Sequence, residues 1–299
     1  MKFFDRTEQL AQLREMKNRS YDNHSMLTVV TGRRRIGKTT LIDKSMSGEE
    51  YLYFFVGKKN EAVLCAEFTG EIRAKLGLFV PDGITSFKDI FAILMQVGEH
   101  RKFTLVIDEF QNFSEVNPSI FSDIQNYWDQ FCLNTNVNLI VSGSIHSRRT
   151  KLFKDKKEPL YGRDDHTIKL YPFAPSVLKE VMNEYVPVYT NDDLLALYAY
   201  TGGVPKYIEL FVDAEAVTKE GMIRYICKPD SPFSEEGRKL LIQEFGFQAS
   251  IIGSISPFLI LFLRLTTYYL EVFLTNHRHI AEVIVESNAI KTDSTYCIT

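Results

Sequence analysis

Gly32-Arg33-Arg34-Arg35-Ile36-Gly37-Lys38-Thr39 sets two glycines five positions apart and follows the second with a lysine and a hydroxyl residue. This is the spacing of a phosphate-binding P-loop. It lies between the apolar run Met26-Leu27-Thr28-Val29-Val30-Thr31 and the helix start at Thr40-Leu41-Ile42-Asp43, the strand–loop–helix context that the motif requires. Glycines let the chain turn its amide N–H groups inward around a phosphate, and the helix N-terminus adds partial positive charge. Gly32 to Thr39, with Thr40, form the expected nucleotide-contacting set. Lys38 would reach the β- and γ-phosphates and serve the chemical step as well as binding, and the Thr39 hydroxyl would ligate Mg²⁺.

The second chemical landmark is Phe103-Thr104-Leu105-Val106-Ile107-Asp108-Glu109-Phe110, an apolar strand ending in two carboxylates. A buried parallel strand delivers its last residues to the sheet edge where open α/β folds bind ligands. As a Walker B element, Asp108 would hold Mg²⁺ through water and Glu109 would activate the attacking water. The bland reading of Glu109 is a solvated strand end. Gln111 is open between a nucleotide or partner contact and a surface role. Val137 to Ser144 is another apolar strand, ending in hydroxyls, and Ser142 and Ser144 are either γ-phosphate sensors or part of a turn rich in small residues. Arg163, just before the strand-like His166–Leu170, is placed to act as an arginine finger on its own or a neighbouring subunit's γ-phosphate. Action in trans would imply a homo-oligomer.

Other elements must position these groups. Asp5 to Lys17 reads as an amphipathic helix, and Tyr51–Val56 as a second buried strand. Asn60 is expected to cap a helix to about Leu76, and Ser86 another to Gly98. Ile120–Leu133 reads as a helix with Trp128 and Phe131 in the core. After Tyr171 the pattern changes to helices alone: Pro175 to Met182, 191–200 with Asn191 as a cap, 204–213 and 214–227. Two of these flank the tight turn Thr201-Gly202-Gly203-Val204-Pro205. The expected organisation is an ATPase core over 1–171, a helical lid over 172–228 and an atypical segment over 229–299.

Composition bounds the rest. With 299 residues, 45% of them hydrophobic, the chain can bury a sizeable core and exceeds the usual single-domain length. A net charge of −3 gives no global attraction to nucleic acid. Residues 148–157, with six positive charges against one negative, are either a solvated face or a local patch for DNA or RNA. Cys65, Cys132, Cys227 and Cys297 are too scattered for a zinc site or disulfide framework, which suits a reducing cytoplasm. No signal peptide is expected at the N-terminus, and no membrane span up to Glu244.

These motifs, taken in order, carry a resemblance. Phe4-Asp5-Arg6 with Glu8 and Leu10, the Gly32–Thr39 loop, Val106–Gln111, Ser142-Gly143-Ser144, Leu160-Tyr161-Gly162-Arg163 and Gly202-Gly203-Val204-Pro205 are similar to the archaeal-type ATPases. These are prokaryotic P-loop proteins near the STAND and origin-recognition branches of the AAA+ superfamily. The resemblance covers roughly residues 3–246. It implies an ASCE-type α/β core with a parallel sheet of order 5-1-4-3-2, a helical lid, and ATP/ADP with Mg²⁺. It also implies that the segment containing Phe4 and Arg6 lies near the adenine, that Pro205 belongs to a lid turn facing the phosphates, and that Arg163 senses nucleotide. The resemblance stops near residue 247, where relatives commonly continue into a winged helix. A change of reading frame there would account for the loss.

The expected function is hydrolysis of ATP to ADP and phosphate, slow without a protein partner whose identity the sequence leaves open. The alternatives are a STAND-like nucleotide-gated switch with negligible turnover and a DNA-associated ATPase using the 148–157 run.

Overall fold

The computed structural model describes residues 1–144, 151–186 and 188–233, without the side chains of Ser144 and Lys151. These fall into two compact units, Arg6–Tyr171 and a second made of Met1–Asp5 with the chain from Pro172 onward.

The larger unit alternates helices and strands: α1 (Thr7–Asp22), β1 (Met26–Gly32), α2 (Lys38–Ser45), β2 (Leu52–Phe55), α3 (Glu61–Leu76), α4 (Phe87–Gly98) and β3 (Phe103–Asp108). A 3-10 turn at Phe110–Asn112 leads into the short α5 (Phe113–Val116), then α6 (Ile120–Phe131), β4 (Val137–Ser144), the one-turn α7 (Lys151–Lys154) and β5 (His166–Leu170). The sheet is parallel, in the order β2-β3-β4-β1-β5, which is the expected 5-1-4-3-2.

Side chains alternate between the two faces of a strand, so register decides which residues share a layer. Leu27 and Val29, Leu139 and Val141, Leu105 and Ile107, and Leu52 and Phe54 pack on one face with Phe68 of α3, Ile90 and Phe91 of α4, and Ile124 and Trp128 of α6. Trp128 is the only tryptophan of the chain and is buried, as expected of a core residue. The opposite parity, including Val30, Val106 and Ile140, lies on the face covered by α1 and α2. Asp108, Ser142 and Tyr53 share that second parity.

Several local expectations shift. Helix α1 runs five residues beyond Lys17, starting after Asp5 and Arg6 in left-handed conformations (φ 56° and 70°). Strand β2 is an edge strand, so its alternate residues are not buried together: Phe55 is 52% exposed while Phe54 is fully covered and stacked on Phe68. Asn60 caps α3 by accepting from the Val63 N–H at 2.9 Å, whereas Ser86 occupies the cap position of α4 without a side-chain cap bond.

The helical unit contains α8 (Pro175–Tyr185), α9 (Asn191–Thr201), α10 (Pro205–Asp213) and α11 (Lys219–Ile226) around Leu178, Val181, Met182, Leu197, Ile208, Phe211 and Met222. Pro175 takes the first turn of α8 as expected. The cap of α9 is Thr190, not Asn191. Thr190 and Asp193 form a reciprocal capping box, which leaves Asn191 as the first helical residue. The tail from 234 to 299, including the region of the suspected frame change, lies outside the described residues.

Candidate functional site

The loop between β1 and α2 is shaped by two left-handed residues, Arg35 (φ 66°) and Gly37 (φ 89°). Glycine adopts that conformation without steric cost and opens α2 from it. Ile36 is buried and anchors the loop from below. Lys38, the first residue of α2, is only 8% exposed and lies 3.3 Å from the carbonyl oxygens of both Gly32 and Arg33. Burial lowers its pKa, opposed by the nearby carboxylates of Glu109 and Asp108. A cation folded back on its own loop at such long distances is weakly satisfied and available to an anion.

Asp108, 5% exposed at the C-terminal end of β3, is where the other elements converge. Its Oδ2 accepts from the Thr39 hydroxyl at 2.9 Å and from the Tyr53 hydroxyl at 2.7 Å. Its Oδ1 accepts from the Ser142 hydroxyl and from the backbone N–H of Glu109 at 2.9 Å. Burial works against the charged form, and the four donors outweigh it, holding the carboxyl below its usual range. Asp108 is therefore an ionised carboxylate at neutral pH, tied to the P-loop helix, β2 and β4 at once.

Glu109 leaves the strand. Its backbone is left-handed (φ 54°, ψ 37°), a conformation that costs a non-glycine residue about 1 kcal/mol or more. Its carboxylate acts on the Lys38 ammonium, and the Gln111 amide donates to its Oε2.

The remaining expected residues are dispersed. Ser142 reaches the Asp108 carboxylate; Ser144 continues β4 opposite Gly32, and its side chain is outside the described set. Arg33 is half-buried, Arg34, Thr39 and Thr40 are exposed, and the guanidinium of Arg6 donates to the Tyr171 carbonyl. Phe4 belongs to the helical unit, edge-on to Tyr185 with ring centroids 6.1 Å apart, and Pro205 begins α10 there. Of the basic run, residues 148–150 lie outside the described residues.

Arg163 requires a correction as a sensor of the chain's own γ-phosphate. It precedes β5, beside the start of β1, where Asp165 and Leu27 bond reciprocally. The P-loop leaves the other end of β1, seven residues or roughly 20 Å away. Arg163 is instead committed to Asp129 of α6 through two bonds, Nε to Oδ1 at 2.8 Å and Nη2 to Oδ2 at 2.7 Å.

Two residues were missed by sequence reasoning, Tyr53 and Gly143. In the sequence Tyr53 is one aromatic of a run; only the β2–β3 register, Tyr53 opposite Val106 and Phe55 opposite Asp108, puts its hydroxyl on the carboxylate. Gly143 looks like a turn residue, yet it lies inside β4.

A parallel 5-1-4-3-2 sheet with a phosphate loop leaving the interior strand β1, and a buried aspartate at the end of β3, from which β4 separates it, defines a P-loop ATPase fold of the AAA+ type. The chain belongs to the ATPase domain family found predominantly in Archaea, whose model matches residues 3–211. The uncharacterized protein MJECL04 of Methanocaldococcus jannaschii is 27% identical over 230 residues, 75% of this chain, and the chain spans 48% of that protein. Among solved structures, a Walker-type ATPase of Pyrococcus abyssi aligns with a TM-score of 0.58 at 19% identity over 99% of this chain and 93% of that one. The ORC2 protein of Aeropyrum pernix, in ADPNP–ADP complexes, aligns with a TM-score of 0.54 at 14% identity over 96% and 85% of the two chains. At these identities the likeness is one of fold.

Among the described residues no helix is long and apolar enough to cross a membrane, and no three His, Cys, Asp or Glu side chains group as a metal site.

Proposed function

We propose that the chain binds ATP with Mg²⁺ on the Gly32–Thr39 loop and hydrolyses it to ADP and phosphate. The observation that carries this reading is the convergence of Thr39 and Asp108, hydroxyl on carboxylate at 2.9 Å, beside the buried ammonium of Lys38. The donor set suits Mg²⁺: one hydroxyl and one ionised carboxylate leave most of an octahedron to water and phosphate oxygens, which is how that ion is usually held in nucleotide sites. When bound there, the ion neutralises charge on the β- and γ-phosphate oxygens.

The chain's own groups then divide the work. Lys38 exchanges its long contacts with the Gly32 and Arg33 carbonyls for phosphate oxygens. Thr39 and Asp108 orient the metal side, with Tyr53 and Ser142 holding the Asp108 carboxylate. Glu109 accepts a proton from water as the water oxygen bonds to the γ-phosphorus and the bond from that phosphorus to the ADP oxygen breaks. Ser142 is assigned to the γ-phosphate sensor position through its contact with Asp108. We assign Arg6–Tyr171 as the ATPase core and residues 172–228 as the helical lid, with Met1–Asp5 in the lid's compact unit and not in the core as expected from the sequence.

The test is Mg²⁺-dependent ATP hydrolysis by the wild-type chain, Lys38→Ala and Glu109→Gln, with bound nucleotide quantified. Turnover lost in Lys38→Ala and cut to a slow but measurable residual rate in Glu109→Gln, with nucleotide retained by Glu109→Gln, is the expected result. Binding that depends on Lys38 without turnover in the wild type would instead make the chain a nucleotide-gated switch.

A further inference from the structure

We infer that Gln111 is the positioning residue for Glu109, and that Gly143 is glycine because the Gln111 side chain occupies the space its Cβ would fill. This rests on the ATPase reading above and adds to it a residue that acts on the proton-accepting carboxylate.

The turn bearing Gln111 is pinned on all sides. Phe110 packs edge-on against Phe113 and Phe121, with centroids at 5.8 and 5.4 Å. The Asn112 amide donates to the Val56 carbonyl at 2.8 Å, and the Ser114 hydroxyl to the Gln111 carbonyl at 3.0 Å. Gln111 itself is buried, and its Nε2 donates to Glu109 Oε2. On the far side lies β4. A Cβ at position 143 would overlap Gln111 Oε1 and stand 3.4 Å from its Cδ; among the described residues, its chain neighbours aside, nothing else lies within 4 Å.

Gly143 is not among the residues of positive φ, so no backbone conformation demands glycine there. A glycine inside a strand weakens it and commonly marks a close approach by another group. Here that group is one side chain. A carboxylate that takes a proton from water works best with one oxygen held and the other presented, and an amide donor holds it without adding charge. Donor and carboxylate meet within the turn that the left-handed Glu109 backbone opens.

The experiment uses the full chain and Mg·ATP, with Gln111→Ala, Gly143→Ala, the double variant, and each single change repeated in a Glu109→Gln background. Each single substitution is expected to lower kcat by roughly tenfold, the scale of misplacing a catalytic group, with KM unchanged. The double variant is expected to be no slower than the singles, since both remove one contact. In the Glu109→Gln background neither costs anything further. A general structural defect would slow that background too and would overturn the inference, as would an unchanged or faster Gln111→Ala. Should Gly143→Ala fail to fold, Gln111→Ala, which only removes atoms, decides through its cycle with Glu109→Gln. A wild-type chain that binds Mg·ATP without hydrolysing it would overturn the ATPase reading and this inference with it; a hydrolysing wild type with an additive cycle would overturn this inference alone.

Discussion

The Tyr53 hydroxyl donates to Asp108 Oδ2 at 2.7 Å, from the edge strand of the sheet to the carboxylate at the end of its neighbour. Burial and the Asp108 carboxylate together raise the phenol pKa, so Tyr53 remains a donor throughout the neutral range. Tyr53→Phe removes that donor and little volume. Partners that orient a metal-side carboxylate typically matter by tenfold or more in metal affinity. The Mg²⁺ concentration for half-maximal hydrolysis is expected to rise roughly tenfold; a Mg²⁺ titration at saturating ATP that matches wild type would remove Tyr53 from the metal side.

Lys38 has its pKa lowered, chiefly by burial. A folded-state value below the unfolded one means that the ammonium destabilises the nucleotide-free fold at neutral pH, a penalty relieved as pH rises through the folded pKa toward the unfolded one. Lys38→Met is therefore expected to leave the Tm of the nucleotide-free chain unchanged or to raise it. The same substitution should abolish the Tm increase that Mg·ATP gives the wild type. Differential scanning fluorimetry with and without nucleotide reads both, and a large drop in the nucleotide-free Tm would contradict the assignment.

Arg163 and Asp129 form a two-bond ion pair at the sheet edge away from the phosphate loop. Arg163→Ala is expected to cost about 1 kcal/mol in denaturant unfolding, the upper range for a partly exposed pair. Nucleotide affinity, measured on dilute protein, should stay within about twofold of wild type, since a side chain roughly 20 Å from the loop does not touch the ligand. A tenfold loss of affinity would mean that Arg163 reaches nucleotide after all.

Asp193 accepts the Thr190 N–H at 2.8 Å, the Thr190 hydroxyl at 2.7 Å and the Lys219 N–H at 2.6 Å, joining the starts of α9 and α11. Burial opposes its charge, and these donors prevail to lower its pKa. A depressed carboxylate contributes stability that is present above the unfolded value, about 3.9, and fades as pH falls through the folded value. Asp193→Ala is expected to destabilise the chain by about 1–2 kcal/mol at pH 7, the scale of a lost cap. The deficit should shrink in acid below about pH 4, where both chains lack the charge. Unfolding curves at the two pH values decide it; a deficit that persists in acid would assign the loss to packing.

Whatever is local in the chain was legible before the fold. The strand–loop–helix context of Lys38 and Thr39, the apolar strand ending at Asp108, and the Asn60 cap are written in neighbouring residues, and the family pattern supplied the strand order. Contacts between strands were not legible. Tyr53 meets Asp108 only because Phe55 pairs with Asp108 in register, and Gln111 meets Gly143 across a turn whose left-handed start at Glu109 no glycine announces. The reading of Arg163 as a sensor of the chain's own γ-phosphate fails for a related reason: sequence places it before β5, but only the parallel direction of β1 and β5 shows that this is the end remote from that loop. At α9 two adjacent polar residues offered rival caps, and the acidic residue three positions after Thr190 decided between them.

The burial of Trp128 in α6 gives the molecule a built-in optical division. The chain's only indole belongs to the unit Arg6–Tyr171, while Tyr185, Tyr189, Tyr198, Tyr200, Tyr207 and Tyr225 all belong to the other. Excitation at the red edge of protein absorbance, where tyrosine is silent, therefore reports the α/β unit alone. Comparing that signal with far-ultraviolet circular dichroism, which counts helices from both, reveals whether the two units melt together or one after the other.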